Sequence, residues 1–200
     1  MKYVLVLLMP LMILACKQEK KSTEETLAVL EQEKSSTPAD PKNLSIPNSC
    51  QMFTEDKIKQ IFAVKEGSIN IREAKDPGNS SASSCFFKWT EPHIDNAGMF
   101  IQISTNPVYD EFPQYISDYI ATKLKDGEMT MGNNTPTKFT AFDAGGRPGA
   151  YSFSEARYFW SIGNDYLIMV AFNLPTYDES RILAAVGQVA EIINANFTKK

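Results

Sequence analysis

The sequence predicts an α+β domain in which an antiparallel sheet packs against helices. Three observations carry that reading. Short runs with strand patterning crowd the second half and are joined by turn residues rather than by crossover helices. Three helical patterns, each with a start or stop signal, punctuate them. The stretch from 49 to 200 has the length of one domain with one core.

The first helix is expected to start at Thr54, a candidate N-cap followed by Glu55 and Asp56 near the positive end of the helix dipole. Phe53 before the cap and Ile58 after it fit a hydrophobic staple. Ile58, Ile61 and Phe62 supply the apolar stripe, and Gly67 ends or follows the helix. A short strand is read over 68–72, then a turn-rich loop over 76–84. Cys85-Phe86-Phe87-Lys88-Trp89 and 99–104 read as paired strands, with EPHIDNAG between them as a loop.

The second helix is expected over 113–125, with Pro113 tolerated in its first turn. Phe112, Ile116, Tyr119, Ile120 and Leu124 recur at helical spacing, and Gly127 follows. Strands are read over 138–142, 150–153, 157–162 and 166–172. The turn Gly163-Asn164-Asp165 is a hairpin signal, and the last three strands form a meander. The final strand is apolar on both alternations, which places it centrally in the sheet. The third helix opens on Thr176-Tyr177-Asp178-Glu179, which matches a capping box, and Ile182, Val186, Val189 and Ile193 line one of its faces.

The N-terminus carries an address. Lys2 precedes thirteen apolar residues, 3–15, too few for the roughly 20 that cross a bilayer but suited to a signal peptide. Pro10 also argues against a permanent helix there. Ile13-Leu14-Ala15-Cys16 resembles the lipobox of bacterial lipoproteins. That resemblance implies cleavage before Cys16, a diacylglyceryl thioether on its sulfur and a further acyl chain, such as palmitate, on the new amine. Two or more chains meet the requirement for stable anchoring. Lys17, in place of a retention aspartate, favours the outer over the inner membrane of the cell envelope.

Residues 17–48 carry five Lys, six Asp or Glu, three Pro and no aromatic residue. The segment 16–48 therefore reads as a lipidated cysteine and a disordered tether, because so little apolar surface does not offset ordering entropy. TLAVLEQEK within it is expected to form a transient helix at most. As a coil the tether spans roughly 30 Å.

With Cys16 taken by lipid, Cys50 and Cys85 remain as an even pair in an exported chain and are expected to form a disulfide. Closing that loop is worth about 3.8 kcal/mol on the chain-entropy account. No CxxC exists and there is one histidine, so no metal and no cofactor are expected. From Cys50 onward there are 14 basic and 18 acidic residues, with no basic cluster that would mark a nucleic-acid partner.

Cys50 just before the first helix, Cys85 four residues before Trp89, and Gly146-Arg147-Pro148-Gly149-Ala150-Tyr151 at the start of the meander resemble features of small lipoprotein domains of PsbP-like type. The resemblance spans about residues 50–197. It implies an α/β/α sandwich and carries over no catalytic residue.

Three places hold candidate chemistry. His93, with Glu91 and Asp95 nearby, reads either as a general base or metal ligand, or as a solvated loop histidine. The stretch Asp143 to Gly149 reads either as an anion-binding nest with Arg147 or as a strand-connecting turn; it lacks the P-loop and dinucleotide patterns. Tyr158-Phe159-Trp160 is aromatic on both alternations, so Tyr158 and Trp160 either fill the core or face a partner. The reading that results is a lipid-anchored, non-enzymatic interaction module of the bacterial envelope, with Arg147, Tyr158 and Trp160 as interaction residues and an envelope protein or a small ligand as partner. Two alternatives stay open. One is an enzyme using Glu91, His93 and Asp95; the other is a structural or immunity-type lipoprotein with one cognate partner.

Overall fold

A computed structural model describes residues 22–74, 81–130 and 134–197. The expected signal peptide and the lipid cysteine, Cys16, lie outside them, as does the side chain of Asp95. Seven strands form: β1 Asn70–Glu73, β2 Ala82–Glu91, β3 Ile94–Thr105, β4 Thr140–Asp143, β5 Pro148–Ser152, β6 Arg157–Ile162 and β7 Tyr166–Asn173. They make one sheet in the order β1-β2-β3-β7-β6-β5-β4, every neighbouring pair antiparallel. Four helices accompany it, α1 Thr23–Lys34, α2 Glu55–Phe62, α3 Tyr115–Lys125 and α4 Glu179–Phe197. The α+β class and the meander are as the sequence indicates, and β7 is the central strand. Among the described residues no helix is long and apolar enough to cross a membrane.

The strand period of two sorts side chains into two layers. On the first face, Cys85, Phe87, Met99, Ile101, Tyr158, Trp160, Ile168 and Val170 meet α2, α4 and the segment around Leu44, Ile46 and Phe53. The Cys50–Cys85 disulfide, with its Cα atoms 5.1 Å apart, ties that segment to the middle of β2. On the second face, Ala141, Ala150 and Phe159 meet Leu30 of α1 and Ile120, Ala121 and Leu124 of α3.

The helix starts follow side-chain capping. Thr54 accepts from the Lys57 amide at 3.2 Å, and α2 stops where Ala63 turns left-handed. At α4 the cap lies two residues beyond the expected Thr176: Asp178 Oδ1 accepts from the Arg181 amide at 2.8 Å. The Thr176 position reads like a capping box, but it is the Asp178 carboxylate that stands where the backbone amides point.

Two expectations need correction. The stretch 91–98 is no loop. β2 and β3 run on to a two-residue turn, Pro92-His93, with Glu91 opposite Ile94. Proline first and His93 second, at φ 68°, is the residue pattern of a type II turn. An extra residue on β3 then makes a bulge in which Asn96 is left-handed at φ 55°.

The second correction concerns the tether. From residue 23 the chain lies on the domain rather than floating free of it. Ser22 caps α1 by accepting from the Glu25 amide, Leu30 is 1 % exposed, and Lys34 bridges to Asp118 at 2.7 Å. Beyond α1, Tyr109 donates to the Pro38 carbonyl, Asp165 accepts from the Ala39 amide at 2.8 Å, and Tyr166 donates to the Ser45 carbonyl. Composition judged the segment as if alone. Few apolar side chains suffice when the sheet beneath already supplies an apolar floor. Leu30→Ala should therefore lower stability by about 2–4 kcal/mol, read from urea unfolding; a spacer residue would leave the midpoint unchanged.

Candidate functional site

The sequence-predicted residues do not converge. Tyr158 and Trp160 are both 0 % exposed, which corrects their reading as surface aromatics. Tyr158 stacks on Tyr151 within the first-face core, centroids 5.4 Å apart. Trp160 donates to Asn194 Oδ1 at 3.1 Å, and Asn194 in turn donates to the Ala144 carbonyl at 2.8 Å. Both alternations of β6 are aromatic because helices cover both of its faces. Asn194, invisible as a polar residue on an apolar helix face, is what ties α4 to the β4–β5 turn.

That turn holds Arg147, which is half-buried. Asp143 accepts from the Gly146 amide at 2.8 Å, so that amide is used within the turn rather than aimed at an anion. Arg147 instead lies near Glu33 of α1. Burial raises the Glu33 carboxyl above its ordinary range, opposed by the Ser161 hydroxyl, which donates to it at 3.0 Å, and by the Arg147 charge. Ser22, accepting from the Glu25 amide, fixes where α1 begins.

The carboxylates around His93 go elsewhere. Glu91 accepts from the Tyr177 hydroxyl at 2.7 Å, and that hydroxyl also lies 3.1 Å from the Phe62 carbonyl. Burial, then Glu91, push the Tyr177 hydroxyl up to about 12, and the Arg181 guanidinium sits over its ring. His93 is exposed on the β2–β3 turn. Its left-handed backbone, a conformation His adopts more readily than most residues, accounts for its place there. Glu91 is thus a strut between β2 and the start of α4. Among the described residues no group of three or more His, Cys, Asp or Glu could hold a metal ion.

What stands open is half of the second face. α1 and α3 cover β4, β5 and β6 and reach the Leu167 and Met169 side chains of β7. No described helix packs over β1, β2 and β3 on that side. Register places Asn70 and Arg72, Phe86 and Lys88, then Gly98, Phe100 and Gln102, and last Ala171 and Asn173, in successive rows across it. Phe86 is 38 % exposed and its ring centroid lies 4.6 Å from that of Phe100. Gly98 forms a floor, since a Cβ there would come 2.5 Å from the Phe87 carbonyl. A shallow basin of about 280 Å³ lies over Gly98, bounded by Phe86, Lys88, Phe100 and Asn173. Beside it a larger open groove of about 1160 Å³ follows β1 and includes Asn70, Arg72, Thr90 and Asn96.

On this face an aromatic pair is flanked by a guanidinium, an ammonium and side-chain amides, and among its described residues no nucleophile is held against a base. Comparison with protein-family models, with curated proteins and with solved structures gave no match.

Two outcomes follow from the buried groups. Trp160→Phe should cost about 1–3 kcal/mol of stability, because it leaves the buried Asn194 Oδ1 without its donor; unchanged thermal unfolding would contradict the bond. The raised Glu33 acid favours folding when protonated, so its contribution grows as pH falls from neutrality through its titration and levels off below the ordinary carboxylate range. The stability difference between wild type and Glu33→Gln should follow that curve, and a pH-independent difference would contradict it.

Proposed function

We propose that this protein is a lipid-anchored, non-enzymatic interaction module of the bacterial cell envelope, and that the open half-face of its sheet is the recognition surface. The observation that carries the reading is the ring pair of exposed Phe86 and half-buried Phe100, beside Arg72 and Lys88, on a face otherwise closed by helices. Such rows suit a segment of an envelope protein that lays an apolar side chain on the rings and presents carboxylates to the two cations. The lipobox-like Ile13-Leu14-Ala15-Cys16 supports the anchor and the exported location. The Cys50–Cys85 disulfide is consistent with an oxidising compartment.

Helices on both faces of one antiparallel sheet support the finer reading of the fold as an α/β/α sandwich of PsbP-like type. The rings here differ from those expected from sequence, since Tyr158 and Trp160 work in the core and the recognition role passes to Phe86 and Lys88. The enzyme alternative loses its support with Glu91 bound to Tyr177 and His93 serving the turn.

Photo-crosslinking in intact cells from a probe at position 100 tests the reading. The expected result is one envelope protein, joined through an acidic segment, captured by wild type and lost in Phe86→Ala/Lys88→Glu while the double variant keeps its thermal stability. Equal capture by the double variant, or a contact segment without carboxylates, would overturn it.

A further inference from the structure

We infer that the end of the domain bearing Met129 and Phe153 rests on the lipid bilayer itself. The inference rests on the lipid-anchor reading of Cys16 and goes beyond it by orienting the domain. The direction of α1 sets the geometry. Its last residue, Lys34, pairs with Asp118 in the first turn of α3, and Glu33 meets Ser161 near the close of β6. α1 is therefore antiparallel to α3 and starts at the opposite end, where α3 finishes. That end is marked by Lys123, which bridges to Glu128 at 2.6 Å, and by Arg157 at the start of β6, which reaches Glu128 at 2.9 Å.

Reach then decides which end meets the membrane. From Cys16 to the cap at Ser22 is six residues, a span of at most about 20 Å whatever their conformation. α1 itself is twelve residues, so about 18 Å long. A leader running back along α1 would be used up in reaching the level of Lys34. The bilayer must then lie close to the end where α1 begins. The leader also carries Lys17, Lys20 and Lys21 against the single acid Glu19, a balance that suits an anionic lipid surface.

The same end presents apolar side chains to solvent. Met129 is 61 % exposed and Phe153, in the β5–β6 turn, is 42 % exposed. Bonding places both at this end. Glu128 pairs across a bridge with Thr137, whose hydroxyl donates to Glu155 two residues beyond Phe153. Phe112, also 61 % exposed, precedes α3 at the far end, where a segment stretched from Ser22 has almost no length left. The acyl chains hold the domain, and Met129 with Phe153 set its tilt by entering the headgroup boundary.

The test uses the full chain isolated with its lipid and reconstituted in phosphatidylethanolamine/phosphatidylglycerol vesicles. A solvatochromic thiol probe is placed at Met129→Cys, Phe153→Cys or Phe112→Cys, and nitroxide lipids serve as quenchers. Co-flotation with vesicles that is lost in Cys16→Ser, with a blue shift and quenching at 129 and 153 but not at 112, is the expected result. Co-flotation with equal quenching at all three sites, or with most at 112, overturns the orientation and leaves the anchor standing. Failure to float overturns both.

Discussion

A seven-stranded sheet has more surface than four helices can close. Strands lie about 4.8 Å apart and a helix with its side chains is about 10–12 Å across, so one helix covers roughly two strands. On the first face α4 and α2 are supplemented by the segment around Leu44 to Phe53, held down by the Cys50–Cys85 disulfide. On the second face α1 and α3 are the helices present among the described residues, and they close the β4–β6 half. Both distinctive features follow from this shortage. The N-terminal segment is recruited as a helix because the floor formed by Ala141, Ala150 and Phe159 needs a cover, and the β1–β3 half is left with Phe86 exposed beside half-buried Phe100.

The polar interactions serve that layering. Asn194 joins the tryptophan of β6 to the turn between β4 and β5, so the longest helix is keyed to the sheet by one amide. Tyr177 and Glu91 do the same at the start of α4. On the other side Lys123 is 5 % exposed, its ammonium 4.6 Å from the Tyr119 ring centroid and 5.1 Å from those of Phe139 and Phe159, with Glu128 as counter-ion. Burial lowers the ammonium and Glu128 opposes that shift. A cation held by aromatic faces and one carboxylate seals the seam between α3 and the sheet without an unpaired charge.

Much of this architecture is legible in the residues. The Thr54 cap, the Phe53–Ile58 pair, the β6 and β7 runs and the Gly163 turn are local patterns whose local solution is also the native one. The boundaries of β2 and β3 are not, because Pro92-His93 and the Asn96 bulge look like loop chemistry and are in fact turn and bulge chemistry inside a hairpin. α1 is hidden for a different reason. Its sequence is polar almost throughout, and what fixes it is a surface more than a hundred residues away. The open half-face is hidden for a related reason: Tyr158 and Trp160 announce themselves by composition, whereas the exposure of Phe86 depends on where the helices fall short.

Hydroxyl-radical footprinting of the folded protein, read residue by residue, tests this division of the second face most directly. Phe86 should oxidise readily while Leu30, Phe159 and Trp160 stay protected. Oxidation of Leu30 and Phe159 together with Phe86 would mean that α1 does not cover the sheet, and protection of Phe86 would mean that the open half is closed; either result would contradict the account.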